Sequence, residues 1–167
     1  TSTLGGSKLL AERLTLDAGT YAGKGKTKFA IVRFGNVLGS RGSVFQIFQN
    51  QIKMKKPLTV TDKRMTRYIM SISEAASMIL KVTKILEGGE IYILKMPSVR
   101  IEDLAKGIIH VYGLRFPDYR NTSSLKITKP RGERFHELLI TNEEKLFCRD
   151  IGDMYKISKT ENKNCLL

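Results

Sequence analysis

An α/β fold is predicted by three features of this 167-residue sequence. Two short and nearly continuous apolar runs, Phe29-Ala30-Ile31-Val32-Arg33-Phe34 and Ile91-Tyr92-Ile93-Leu94, are rich in β-formers. Such runs suit strands covered on both faces, as in a parallel sheet. Helical patterns alternate with them, the order of α/β proteins rather than of bundles or sandwiches. The first run also passes directly into a glycine-rich stretch, Gly35-Asn36-Val37-Leu38-Gly39-Ser40-Arg41-Gly42-Ser43, before the next helix. Strand, glycine loop and helix is the order in which α/β proteins place ligand sites.

Each element has its own signal. Leu10 and Leu14 recur at a helical interval beside Leu9, Ala11 and Glu12, which predicts an amphipathic helix from Ser7 to about Ala18, ended by Gly19, Gly23 and Gly25. The strand at 29–34 and the glycine loop follow. Val44, Phe45, Phe48 and Ile52 mark a second helix, and Pro57-Leu58-Thr59-Val60 a short extended piece. Ser71-Ile72-Ser73-Glu74 has capping-box spacing and opens a helix carrying Ala75, Met78, Ile79, Val82 and Ile85, with Gly88-Gly89 as its stop. The strand at 91–94 comes next, then a helix over about 101–112 stopped by Gly113. A strand near 125–128, a turn at Lys129-Pro130-Arg131-Gly132, a mixed C-terminal segment and a polar, frayed end over 159–164 complete the chain. Two or three parallel strands make a poor sheet, and the first residue is Thr1 rather than Met. The expectation is a fragment that lacks the N-terminal strands of a larger domain.

Composition narrows the function classes. With 41% apolar and 27% charged residues, the chain has the makings of a packed core and not of a disordered segment. No apolar run approaches the roughly 18 residues of a membrane helix, and Thr1-Ser2-Thr3-Leu4-Gly5-Gly6 has no signal-peptide pattern. A cytoplasmic protein with no stable membrane insertion is expected. The two cysteines, Cys148 and Cys165, have neither disulfide-scaffold nor zinc spacing, and no metal site is expected. Twenty-nine Lys and Arg stand against 16 Asp and Glu, a formal charge of +13. Residues 20–67 hold eleven of the bases and one acid, Asp62. An anionic partner follows: a nucleic acid, an acidic membrane surface or a small phosphorylated ligand. Because the bases are scattered through apolar segments without a basic helix face, no nucleic-acid or membrane partner is expected. A solvated surface explains many of the lysines.

Five motifs occur in order: Leu4-Gly5-Gly6-Ser7-Lys8-Leu9-Leu10-Ala11-Glu12-Arg13; Arg33-Phe34-Gly35-Asn36-Val37-Leu38-Gly39-Ser40-Arg41-Gly42-Ser43-Val44; Pro57-Leu58-Thr59-Val60-Thr61; Met65-Thr66-Arg67-Tyr68; and Arg131-Gly132-Glu133-Arg134-Phe135-His136-Glu137-Leu138-Leu139. The series resembles the C-terminal part of the CapD-type polysaccharide biosynthesis proteins. These are extended short-chain dehydrogenase/reductases that act on UDP-sugars as 4,6-dehydratases or 4-epimerases. The resemblance covers residues 4 to 145. It implies the C-terminal portion of an NAD(P)-binding Rossmann-like fold together with its smaller substrate-binding subdomain. Residues 1–56 would end the Rossmann-like domain, 57–150 would form the substrate-binding portion with a late Rossmann strand and helix, and 151–167 a tail.

The resemblance also implies roles. Lys8 matches the lysine that holds the nicotinamide ribose, where an ammonium donates to two hydroxyls and lowers the pKa of a neighbouring acid/base group. The wider superfamily has Tyr four positions earlier, where this chain has Leu4, which cannot transfer a proton. Arg33, Phe34, Gly35, Asn36 and Val37 would lie beside NAD or NADP and the sugar diphosphate, with the Asn36 carboxamide donating to a phosphate or sugar oxygen. Arg67 matches an arginine that clamps the pyrophosphate, a task suited to its planar fork. Leu58, Thr59 and Val60 resemble the segment that receives the uracil base, chiefly through its backbone. In the fifth motif the family's Arg-Pro-Gly-Glu-Lys reads Pro130-Arg131-Gly132-Glu133-Arg134, which moves a guanidinium by one residue. Arg131 would reach a phosphate, Glu133 would bind ribose hydroxyls or orient the turn, and His136 is a structural part of the motif. His110 is expected in packing or at an interface.

The implied activity is transient oxidation of a UDP-N-acetylhexosamine at C4 in surface polysaccharide biosynthesis, by a homo-oligomer when full length. The alternatives are a noncatalytic sugar-nucleotide-binding or assembly module, which Leu4 and the Pro130-Arg131 order favour, and a basic nucleic-acid-binding domain, which charge alone favours.

Overall fold

A computed structural model describes residues 3–22, 27–40, 42–116, 124–128 and 134–158, with the backbone alone of Leu4. The described residues divide into two compact units, each discontinuous in sequence: 1–34, 73–95 and 138–167 contribute to the first, 35–72 and 96–137 to the second.

In the first unit, strands β1 (Ile31–Arg33), β5 (Ile91–Leu94), β8 (Cys148–Asp150) and β9 (Met154–Ile157) form one sheet in the order β1-β5-β9-β8. β1 and β5 are parallel, Ile31 opposite Ile91, as the two apolar runs predict. β9 then pairs antiparallel with both β5 and β8. The continuous apolar character of β1 and β5 has a direct cause, since side chains alternate between faces and both faces are packed. Ile31, Ile91 and Ile93 join Cys148 and Ile157 in one cluster, flanked by Leu16 and Leu139. Tyr92 joins Met78, Val82 and Met154 in the other, flanked by Val32 and Phe34. Helix α3 (Ile72–Ile85) supplies Met78 and Val82 from its buried stripe and begins one residue after Ser71. The chain then turns at Gly88 and Gly89, both at positive φ, where Glu90 accepts from the N–H groups of Glu87 and Gly88 at 2.9 and 2.8 Å.

In the second unit, helix α2 (Val44–Lys53) starts on Ser43, whose hydroxyl accepts from the Gln46 N–H while Gln46 Oε1 accepts from that of Gly42. It buries Phe48 and Ile52 against Leu58, Val60, Met65, Ile101, Ala105 and Ile108. These come from β3 (Leu58–Val60), the loop before β4 (Thr66–Met70), and α4 (Ile101–Arg115). β3 pairs in parallel with β7 (Leu125–Ile127). β4 lies between β2 (Asn36–Val37), parallel to it, and β6 (Ser98–Arg100), antiparallel.

Several expectations need correction. The first helix, α1, runs from Thr3 to Tyr21, through Gly5, Gly6 and Gly19. Its Leu9, Leu10 and Leu14 are exposed, so the leucine spacing does not mark a buried stripe in this unit. The glycine loop contains a strand, because Asn36 and Val37 pair with Ile69 and Met70. β4 and β6 lie where no element is predicted, since their short mixed sequences become strands by pairing, β6 with β4 and β4 with both β6 and β2. Gly113 does not stop α4, which continues to Arg115 with Gly113 buried. The mixed C-terminal segment is a 3-10 turn (Glu144–Phe147) followed by the β8–β9 hairpin. Of the two expectations for His110, packing is excluded, because the residue is exposed on α4.

Candidate functional site

In the second unit the site begins at Gly35. A Cβ there would stand 2.5 Å from Tyr68 Cβ and closer still to the Tyr68 carbonyl oxygen, so only glycine lets this backbone pass β4. Its N–H also meets Met96 Sδ at 3.2 Å. The close approach sets the β2–β4 register, with Asn36 opposite Ile69 and Val37 opposite Met70. Paired residues of parallel strands share a face, as do residues two apart. The register therefore puts Asn36 and Arg67 on one side of the ladder. The half-buried Asn36 carboxamide makes no hydrogen bond with another described residue.

Arg67 is held tightly, with its side chain 14% exposed. Its Nη1 donates to the carbonyls of Thr66 and Phe135 at 2.7 and 3.3 Å, and its Nε lies 3.4 Å from Glu137 Oε1. Nη2 has Met65 Sδ 4.0 Å away and no oxygen acceptor among the described residues. The segment 134–137 is secured to β4 by Thr66 N–H on the Phe135 carbonyl at 3.0 Å and by Thr66 Oγ1 against His136 Nδ1 at 2.8 Å. Beside it, Arg64 lies over the Phe135 ring, 4.7 Å from the centroid, and its hydrogen bonds hold the Asp62 carboxyl at about 2.

Leu58 and Val60 are core side chains, 0% and 1% exposed. Their backbones are committed to β7, with Leu58 N–H on the Ser124 carbonyl and Thr128 N–H on that of Val60. The outer edge of β3 is therefore at Thr59. Its N–H donates to Gln51 Oε1 at 3.1 Å, and Gln51 Nε2 donates to Thr59 Oγ1 at 2.8 Å. Of the outward backbone groups, the Thr59 carbonyl remains. Gln51 has no signal in the sequence, because its partner lies in another element. Arg131 and Glu133 fall outside the described residues.

In the first unit Lys8 is exposed on α1 and has no partner among the described residues. Phe34 is partly buried against the Tyr92 cluster. Arg33 donates Nε and Nη2 to the Glu12 carboxylate at 2.9 and 2.7 Å, Nη1 and Nη2 to that of Glu144 at 2.8 Å each, and Nη1 to the Leu139 carbonyl at 2.9 Å. Burial works against the Arg33 charge, but the bonds from Glu144 and Glu12 outweigh it and raise its pKa. Burial would likewise raise the Glu144 pKa, and the Arg33 and Thr141 hydrogen bonds more than offset this, holding it below the usual carboxylate range. Glu144 is further fixed by a capping box: Thr141 N–H donates to Glu144 Oε2 at 2.9 Å and Glu144 N–H to Thr141 Oγ1 at 3.2 Å. The Thr-x-x-Glu spacing was the available signal for it. Among the described residues no group of His, Cys, Asp or Glu could hold a metal ion.

The fold matches part of the structures of extended short-chain dehydrogenase/reductase epimerases and dehydratases. Residues 1–159 match the model of the polysaccharide biosynthesis protein family, and the chain belongs to that family, as its motifs indicate. It is 46% identical over 157 residues to an uncharacterized membrane protein of Methanocaldococcus jannaschii, covering 93% of this chain and 47% of that protein. A UDP-glucose 4-epimerase of Rickettsia felis is 35% identical over 160 residues, 93% of this chain and 44% of the relative. Among solved structures, Pen from Bacillus thuringiensis matches with a TM-score of 0.84 and 39% identity over 92% of this chain and 46% of that one. A dTDP-glucose 4,6-dehydratase from Streptomyces venezuelae, solved with NAD bound, shares the fold at a TM-score of 0.58 and 16% identity, over 78% of this chain and 41% of that one. The chain spans about half the length of these relatives. No described helix is long and apolar enough to cross a membrane.

Proposed function

We propose that this chain is the substrate-binding half of a cytoplasmic, homo-oligomeric enzyme of surface polysaccharide biosynthesis that oxidises a UDP-N-acetylhexosamine transiently at C4. Product formation is either loss of water across C5 and C6 with hydride return to C6, or hydride return to the opposite face of C4. The observation that carries this reading is the β2–β4 register, which sets an unpartnered carboxamide, Asn36, on the same face as the Arg67 guanidinium. Asn36 would donate to a phosphate or sugar oxygen and Arg67 Nη2 to the pyrophosphate, while the Thr59 carbonyl would accept from the N–H of the uracil. By the family resemblance of their motif, Arg131 would add a phosphate contact and Glu133 a ribose contact. The charge supports an anionic substrate, since 35–72 and 96–137 hold 15 of the 29 Lys and Arg against six of the 16 acids.

NAD or NADP, when bound, supplies the hydride acceptor for C4 and returns the hydride later. What fits such a group here is the unpartnered ammonium of Lys8, which can donate to two ribose hydroxyls. Leu4 offers no proton, so the acid/base groups come from elsewhere in the protein. Leu4 also favours a second reading, a noncatalytic sugar-nucleotide-binding module.

The full-length protein, incubated with UDP-GlcNAc, is expected to yield a 4-keto-6-deoxy or C4-epimerised product. Asn36→Ala is expected to weaken UDP-GlcNAc binding about 10-fold, the value of one hydrogen bond to a charged group. Unchanged sugar nucleotide that still binds would establish the noncatalytic reading. Random DNA binding as strongly as UDP, with steep salt dependence, would overturn both.

A further inference from the structure

We propose that Arg33 is a positioning residue: it contacts no ligand, and through Glu12 it sets the rotation of α1 and hence the direction in which Lys8 leaves the helix. The inference rests on the reading of Lys8 as the residue that holds the cofactor ribose. A guanidinium has five N–H donors, and all five of Arg33 are used within the first unit by Glu12, Glu144 and the Leu139 carbonyl. Its side chain is 15% exposed. Two carboxylates against one cation leave the cluster with a formal charge of −1, which repels a diphosphate instead of attracting it.

The geometry points instead to α1. Glu12 lies one turn after Lys8, so the two residues share a helix face. Apolar packing does little to fix that face, since Leu9, Leu10 and Leu14 are 52%, 61% and 60% exposed. Among the described leucine side chains of α1, Leu16 is the one that flanks the core cluster of β1 and β5. The two parallel bonds from Arg33 to Glu12 are planar and directional. They lock the helix to β1, where leucine contacts would tolerate rotation. Glu144, held by its own capping box, braces the guanidinium from the other side.

The test uses the full-length protein and Arg33→Lys, which keeps the charge and loses the forks. Two readouts are taken: steady-state kinetics with UDP-GlcNAc, and the resonance of Lys8 after reductive methylation with labelled formaldehyde, assigned by its loss in Lys8→Arg. The expected result is a kcat lower by about 10- to 100-fold, as for a misplaced catalytic group, a KM for UDP-GlcNAc within about twofold, and a displaced Lys8 resonance. A raised KM with the Lys8 resonance unmoved would show that Arg33 touches substrate, and would overturn the proposal, as would no change in either readout. If the wild type does not turn over UDP-GlcNAc, the proposed function fails separately. The resonance still decides the positioning role, displacement supporting it and constancy refuting it. Should Arg33→Lys fail to fold, Glu144→Gln, which removes one brace, is read in the same way.

Discussion

Two residues show how backbone geometry overrides side-chain chemistry. Gly35 sits in a motif whose glycines are expected to admit a ligand, yet the neighbour it admits is Tyr68 of its own unit. Both obstructing Tyr68 atoms belong to a strand paired on two sides, so neither can yield. Gly35→Ala is expected to cost about 3 kcal/mol, at the upper end of overpacking, and to unseat Asn36. Urea denaturation measures the loss, and a value below about 1 kcal/mol would mean that β4 moves aside. Lys55 is the reverse case. It stands at φ 53, just past α2, where its N–H bonds the Ile52 carbonyl at 2.8 Å and that of Lys56 bonds Gln51 at 2.9 Å. This is a Schellman turn with lysine at the position that favours glycine. Lys55→Gly is expected to stabilise by about 1 kcal/mol through relief of the left-handed strain. A lower melting temperature would contradict it. Asn36 was singled out in the sequence because it follows a strand and a glycine. Gln51 was not, because its importance comes from Thr59 across a loop.

At the level of elements, the Arg33 cluster joins α1, β1 and the capped turn at 141–144, and this gives the first unit an acid-sensitive joint. Glu144 has a folded pKa below its ordinary 4.5, so it favours the unfolded state once protonated there. The buried Glu90, which holds the Gly88-Gly89 turn, is shifted the same way: burial opposes its charge, and the bonds from Gly88, Glu87 and Lys156 overcome that. The sign follows directly. Their contribution is complete above 4.5 and disappears as pH falls through the depressed folded values. Glu144→Gln is expected to flatten the loss of stability below pH 4.5, checked by chemical denaturation across that range. An unchanged acid limb would exclude Glu144 as its source. Helices α2 and α3 were readable because each buries a periodic stripe, and α2 also has its Ser43 cap. β4, β6 and β9 are short, and their polar residues, such as Arg67, Ser98 and Lys156, hide the alternation.

On the scale of the whole molecule, the described residues form three apolar clusters where composition predicts one core. Phe48 and Ile52 belong to the cluster of the second unit, while Ile93 and Tyr92, adjacent in β5, belong to two different clusters of the first unit. The chain crosses between the units four times, at 34–35, 72–73, 95–96 and 137–138, and no change of composition marks these points. What the sequence determined by itself was whatever is local or repeated along the chain: the α/β class, the parallel pairing of two continuously apolar strands, the starts of α2, α3 and α4, and the family, through five ordered motifs. The tertiary structure alone decided which groups are spent and which are free. Arg33 and Arg67 are both arginines in site motifs, yet one has every donor engaged and the other keeps Nη2. That difference arises from Glu12, Glu144, Glu137 and the carbonyls of Leu139 and Phe135, which most often lie far from their partner in sequence. Side-chain hydrogen bonding is short-ranged in space, so it is invisible until folding sets the distances.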